Sequence, residues 1–210
     1  MKIVCFSDTH GLHRNLKLNK WFQNNPATIL IFAGDYQCNS QDTGEDFIDW
    51  ISELPYKHKI ITAGNHDNNF EIIKNECEKY KNIYYLVHNP IEIEGIKFFV
   101  SAYSKTFGNW TFMEDEDTLE YLYKKIPKNV EMLVTHAPPF KKLDLTFLGE
   151  NAGSTSLAKR IINLSNLKYN IFGHIHEAYN TITKKGIKYI NCSVVNERYE
   201  MVNKPYIFEI

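Results

Sequence analysis

A mixed α/β fold is what this sequence predicts, on three observations. Short apolar runs of strand length recur along its 210 residues, segments with helical spacing lie between them, and metal-binding side chains stand directly after the runs. The runs are residues 3–6, 29–33, 60–63, 132–134 and 171–172. They lead into Asp8-Thr9-His10, Gly34-Asp35, Gly64-Asn65-His66-Asp67, His136 and Gly173-His174-Ile175-His176. Strand ends gathered on one edge of a sheet are where open α/β folds place ligand sites.

The elements follow in order. After the strands at 3–6 and 29–33, residues 43–54 carry Phe47, Ile48, Trp50, Ile51 and Leu54 at helical spacing, and Pro55 stops the helix. The strand at 60–63 precedes a second helix at 68–79, with Phe70, Ile72, Ile73 and Cys77 apolar. Strands follow at 83–87, 91–93 and 96–102, the last two joined by a Glu94-Gly95 turn. The acids at 114–117 begin a helix with Leu119, Tyr121, Leu122 and Ile126 as its apolar positions. Negative charge in a first turn suits the helix dipole, so the run reads as a solvated helix start and not as a metal site. Residues 154–164 form a further helix, capped by Ser154 or Thr155. The tail alternates over 181–183, 187–191 and 206–210, with Lys185-Gly186 as a hairpin turn. No repeat, low-complexity stretch or linker interrupts this order, and one domain spanning 1–210 is expected.

Composition narrows the function. A 43% hydrophobic content supports a substantial core. A formal net charge of −1, with Arg14, Arg160 and Arg198 as the only arginines, argues against a grip on long nucleic acid, which usually requires a basic stripe. The four Cys residues show no Cys-x-x-Cys spacing. No apolar run approaches membrane length, and Met1-Lys2 leads straight into a strand, so a cytoplasmic setting is expected.

Five of the eight His residues fall in the motif segments. Imidazole with carboxylate suits zinc, iron or manganese, whereas calcium and magnesium usually take oxygen alone. Glycine before a ligand lets the backbone turn sharply and approach closely; Gly34, Gly64 and Gly173 hold that place. Asp8 and His10, two apart, would point the same way at strand spacing. His13 could touch substrate but reads first as a solvent-facing loop residue, His58 and His88 read as surface residues, and Asn196 and Arg198 are left outside the site.

The ordered set D-x-H, G-D, G-N-H-[DE], a lone His and G-H-x-H resembles the calcineurin-like metallophosphoesterases. Asp46-Phe47-Ile48-Asp49-Trp50, Leu54-Pro55, Thr135-His136-Ala137-Pro138-Pro139 and Tyr189-Ile190-Asn191-Cys192-Ser193 are similar to its brain protein 239-type subgroup, across residues 2–210. Ala137 departs from that subgroup's more usual Gly, and the stretch 36–43 is polar and longer. The resemblance implies a four-layer sandwich, two mixed β-sheets flanked by helices. It implies two divalent transition-metal ions, manganese first among Mn, Fe, Zn, Ni and Co. One would be held by Asp8, His10, Asp35 and His176, the other by Asp35, Asn65, His136 and His174, with Asp35 bridging.

Two such ions acidify a shared water and clamp phosphoryl oxygens for in-line attack. His66, beside the ligand Asn65, is the candidate general acid, and Asp67 either orients that imidazole or pairs with a nearby cation. The expected activity is phosphodiester hydrolysis of a small substrate such as a cyclic nucleotide. The alternatives are a nuclease of the same superfamily or a non-catalytic scaffold on this fold. A phosphoprotein phosphatase is disfavoured, because Gly34-Asp35-Tyr36-Gln37-Cys38 stands where that group has Gly-Asp-x-x-Asp-Arg-Gly.

Overall fold

The computed structural model describes residues 1–37 and 44–210; most of the polar stretch at 36–43 therefore lies outside the described residues. The chain runs β1 (Lys2–Phe6), α1 (Leu16–Asn24), β2 (Ile29–Ala33), α2 (Glu45–Ser52), β3 (His58–Thr62), α3 (Phe70–Cys77) and β4 (Ile83–Tyr85). It continues through β5 (His88–Ile93), β6 (Ile96–Ser101), β7 (Ser104–Lys105), β8 (Met113–Glu114), α4 (Glu116–Lys124), β9 (Met132–Thr135) and α5 (Thr155–Ile162). The last elements are β10 (Tyr169–Phe172), a 3-10 turn (His176–Ala178), β11 (Asn180–Lys184), β12 (Ile187–Asn191) and β13 (Tyr206–Glu209).

Two mixed sheets result, ordered β13-β1-β2-β3-β4 and β11-β12-β10-β9-β6-β5, with β7 and β8 as a small separate pair. Successive side chains of a strand face opposite ways, and the fully buried strands use both faces. In β1, Val4 and Phe6 join a core shared with α1, α2 and α3, while Ile3 and Cys5 join a core shared with the other sheet. Beyond the second sheet, Phe99, Leu133 and Phe172 pack with Leu119 and Tyr123 of α4 and Leu157 and Ile161 of α5. Helices, sheet, sheet, helices: these are the expected four layers.

The differences have local causes. Helix α1 was not expected from the sequence, because Leu16 is 85% exposed and only Leu18 and Phe22 are buried, with Trp21 partly so; its N-cap is Asn15, whose side chain accepts from the Lys17 and Leu18 N–H groups. Strand β5 begins three residues before its expected start despite Pro90. It lies at a sheet edge, where a missing N–H costs least. Asp115 caps α4 through the Thr118 N–H. Glu116 corrects the reading of the acidic run as merely solvated: its carboxylate accepts from Thr155 N–H, Ser156 N–H and the Ser154 hydroxyl, so one acid of α4 caps α5. Ser154 also accepts from Leu157 N–H. Among the described residues no helix is long and apolar enough to cross a membrane.

Helices α1 and α2 are fixed to the first sheet by aromatic packing. Phe6 lies 4.9 Å from Phe22 and 4.9 Å from Phe32, and Phe22 lies 5.7 Å from Trp50. Phe22→Ala should therefore destabilise the fold by about 3–5 kcal/mol, read as a lower midpoint in urea with an unchanged slope; a change under about 1 kcal/mol would show that α1 is not held through this ring.

Candidate metal centre

Strands β1, β2 and β3 are parallel neighbours in one sheet, and β9 and β10 are parallel neighbours in the other. Their carboxyl ends therefore emerge together. The sheets are joined there: Ser7 N–H donates to Cys192 C=O at 3.1 Å and Val194 N–H donates to Ser7 C=O at 3.1 Å. Asp8, Asp35 and Asn65 arrive from the first sheet and His136, His174 and His176 from the second. All are buried or half-buried.

Two groups of side chains form. Asp8, His10 and His176 offer atoms to one point, with His176 Nε2 3.5 Å from Asp8 Oδ1 and 3.3 Å from His10 Nε2. Asp35, His136 and His174 offer atoms to another, with His136 Nε2 3.4 Å from Asp35 Oδ2 and 3.1 Å from His174 Nδ1. Asn65 Oδ1 joins the second at 2.9 Å from His136 Nε2. Asp35 Oδ2 also lies 3.7 Å from His10 Nε2, so one carboxylate stands between the groups.

Ring orientation shows that this donor set fits cations. His136 Nδ1 lies 2.9 Å from the Ala33 carbonyl and His176 Nδ1 3.2 Å from the Asn196 carbonyl, so each donates backwards and turns Nε2 into the site. Nε2 of His136 then faces an amide oxygen and a carboxylate oxygen, both acceptors. Burial acts to lower the His136 pKa, but the Asp35 charge outweighs it and raises it to about 9. That position demands positive charge, which a metal ion supplies as well as a proton does. Burial would raise both carboxyls, yet His176 holds Asp8 down at about 2 and His136 holds Asp35 well below the usual carboxylate range. Burial pushes His10 down to about 4, and burial with the nearby His136 pushes His174 down to about 3, leaving both rings neutral and able to ligate at neutral pH.

Close approach explains the glycines. A Cβ on Gly64 would lie 2.2 Å from Asp35 Oδ1, and one on Gly173 would lie 2.1 Å from both Asp8 Oδ2 and the Ser7 hydroxyl. Neither needs a left-handed backbone; Gly34, at φ +101°, needs both the space and the turn. The Asp8–His10 spacing works for a different reason than expected. These residues lie past the strand, at φ 57° and 42°, and their loop is bonded to the one carrying Asp35 through Asp8 N–H to Gly34 C=O and His10 N–H to Asp35 C=O.

His66 sits at the rim, its N–H donating to Asp35 Oδ1 at 2.9 Å and its ring 4.8 Å from that of His10. It also forms a group with His10 and Asp35 that could hold an ion. Among the described residues, Asp67 shows neither a hydrogen bond to the His66 imidazole nor an ion pair with a Lys or Arg. Its fully buried carboxylate accepts from the N–H groups of Asp35, Tyr36, Gln37 and Gly64, at 2.7–3.0 Å. It therefore shapes the turns that present Asp35 and Asn65.

His13 is not solvent-facing and is not among the residues that line the cavity over the centre: it is buried against Phe47 and Trp50, with Nε2 2.8 Å from Asp46 Oδ2. His88 is half-buried between the Ser101 hydroxyl and the Leu122 carbonyl, and its pKa is lowered by burial. Asn196 lies behind His176, while Arg198 stays outside and exposed. Sequence reasoning missed four aromatic rings, Phe107, Trp110, Phe147 and Tyr199, which line a cavity of about 270 Å³ over the centre.

The family model for calcineurin-like phosphoesterases matches residues 1–178. The chain belongs to that family. The chain is 28% identical along its whole length to a UPF0046 protein of Caenorhabditis elegans, of which it spans 60%. It is 26% identical, again along its whole length, to human metallophosphoesterase domain-containing protein 1, of which it spans 71%. These relatives match the subgroup that the motifs resemble. Its fold is shared with the phosphopantetheinyl hydrolase of Mycobacterium tuberculosis, at 15% identity and a TM-score of 0.65, covering 94% of this chain and 90% of that one.

Because Gly173 leaves room for Asp8 and Ser7, Gly173→Ala should lower the metal retained after reconstitution and dialysis by at least half, measured by elemental analysis on folded protein. Retention equal to wild type would show that the segment can shift without disturbing Asp8.

Proposed function

We propose that the phosphoesterase is a phosphodiesterase for small monoanionic esters, with the whole chain acting as one catalytic unit in the cytoplasm. One observation carries the preference for diesters. Among the described residues lining the cavity there is no Lys or Arg, while Glu177 and Glu197 are present. A monoester dianion is usually gripped by guanidinium forks; here Arg14 pairs with Asp46 on the surface and Arg160 donates to the Ile126 carbonyl. Cyclic nucleotides of the 2′,3′ type are the first natural esters to try, as the subgroup resemblance suggested.

Asp8, His10, Asp35 and His176 would hold one divalent cation, and Asp35, Asn65, His136 and His174 the second, with manganese the first ion to test. Bound there, the pair supplies positive charge to phosphoryl oxygens and makes a water acidic enough to attack phosphorus near neutral pH. The chain's residues do the rest. Ala33 and Asn196 carbonyls fix the His136 and His176 rings, and Asp67 fixes the turn behind Asp35. As the water oxygen bonds to phosphorus and the ester oxygen leaves, His66 at the rim donates a proton to that oxygen.

The grouping of His66 with His10 and Asp35 favours a second reading, His66 as a ligand. His66→Ala separates the two. A general acid predicts full metal content and a loss in kcat of about 10²–10⁴-fold, shrinking for nitrophenolate leaving groups; a ligand predicts lost metal.

Asp35→Asn should weaken retention at both positions, since a neutral amide cannot bridge two cations as a carboxylate does. Reconstituted wild type should approach two equivalents per chain, and a value near zero sinks the two-metal reading. The substrate class is tested by kcat/KM for bis-nitrophenyl phosphate, 2′,3′-cyclic AMP and nitrophenyl phosphate under one metal condition. A tenfold advantage for the monoester, about 1.4 kcal/mol in the transition state, would overturn the preference for diesters.

A further inference from the structure

The outer helices do not cover the whole of the second sheet. Helices α4 and α5 pack on Phe99, Leu133 and Phe172, which come from β6, β9 and β10. Strands β12 and β11 lie beyond β10, at the edge of the sheet. A groove of about 520 Å³ opens there, between the end of α5 and the β11–β12 hairpin. Ala158 and Ile161 of α5, with Leu164 just after it, form one wall, and Ile187 and Tyr189 form the other. Ile162, the last residue of α5, also lines the groove and is 78% exposed. Apolar lining and this volume are what small-molecule sites have in common.

Charge sets this groove apart from an ordinary packing gap. Lys142, Lys184 and Lys185 line it, and among the described residues no Asp or Glu does. Lys142 Nζ lies 5.6 Å from the centre of the Tyr189 ring, so its ammonium stands over the apolar wall. Lys184 is the cross-strand partner of Ile187, which puts a charge beside the same wall. Among the described residues the lysines in ion pairs are Lys57, Lys79, Lys124 and Lys168. The three on the groove are not among them. The groove is also separate from the metal centre. It shares no lining residue with the cavity there, and Ile187 begins β12 whereas the seam with β1 lies past that strand's other end.

We infer that this groove binds a small amphipathic carboxylic acid, its hydrocarbon body between α5 and the hairpin and its carboxylate among Lys142, Lys184 and Lys185. This site is independent of the phosphoester chemistry. Burial of an alkyl chain against Ile161, Leu164 and Ile187 supplies the affinity, and the ammonium groups select the charge. The lining holds no Arg, so the planar fork that grips phosphate is missing, whereas one carboxylate is served by ammonium groups. An acidic peptide would match the charge equally, but it brings backbone N–H groups that need acceptors. The side chains of the lining offer three ammonium groups and the Ser165 hydroxyl, with no carboxylate or amide among them. An alkyl carboxylate has no donor to leave unmet.

Calorimetry on the metal-reconstituted protein tests this with hexanoate, octanoate and decanoate, each below its micelle concentration. Affinity should rise about fourfold per methylene while the chain still lies inside the groove. Decanol should bind roughly five- to tenfold more weakly than decanoate, and decyltrimethylammonium no better than decanol. The double variant Lys184→Glu, Lys185→Glu, changed at two exposed turn positions, should lose the preference for acid over alcohol. Ala158→Trp, which fills the groove, should abolish binding of both.

No binding of decanoate, or equal binding of decanol, would overturn the assignment. A carboxylate can also ligate metal, so decanoate affinity that survives Ala158→Trp at full strength would place it elsewhere and equally overturn the groove. Should Ala158→Trp fail to fold, the lysine variant decides alone, and an undiminished preference for the acid there sinks the site. A capped peptide of alternating Leu and Asp that binds more tightly than decanoate would overturn it in favour of a protein partner.

Discussion

The backbone seam at Ser7 and Ser193 is the constraint on which the centre depends. Parallel pairing there fastens the end of β1 to the segment after β12, so the carboxyl edges of the two sheets meet at a fixed distance. Only across that seam can the His174 N–H donate to the Asp8 carboxylate. Two carboxylates are thereby taken out of water beside an apolar core, where each uncompensated charge costs several kcal/mol. The imidazoles of His136 and His176 answer them from the opposite sheet. Neither sheet carries a balanced set alone.

The seam also explains why local strain is tolerated. Asp8, His10, Asp35 and His174 all have positive φ, between 42° and 68°. Such conformations in residues other than glycine cost about 1–3 kcal/mol each. They persist because neighbouring hydrogen bonds fix these turns from several sides, above all the four N–H groups gathered on Asp67. Asp67 acts from behind Asp35, and among the described residues the hydrogen bonds it accepts come from backbone N–H groups, which makes it a clamp on that turn.

The fold class and the main ligand candidates were legible in the sequence because both rest on local signals. Apolar runs such as 29–33 mark buried strands, and the polar residues after them mark the edge where those strands end. What was not legible depends on partners distant in sequence. Helix α1 buries only Leu18 and Phe22, with Trp21 partly buried beside them, and carries an exposed Leu16, so its periodicity is faint. His13 and His88 look like loop and surface residues until Asp46, Trp50 and Leu122 are brought beside them. Phe107, Trp110, Phe147 and Tyr199 share no spacing; only the three-dimensional arrangement makes them neighbours of one cavity.

The bond from His174 to Asp8 closes a span of 166 positions. Loop closure on that scale must precede any reward from the contact, and chains dominated by such pairings reach their native state slowly. During synthesis the β1 strand and its acids are made first and must wait for β10 and β12 before the ligand set exists. A partly made chain therefore carries buried-to-be carboxylates that have His10 beside them but not yet His136, His174 and His176. The two candidate ligand groups that draw on both sheets can be completed only after the chain has closed on itself.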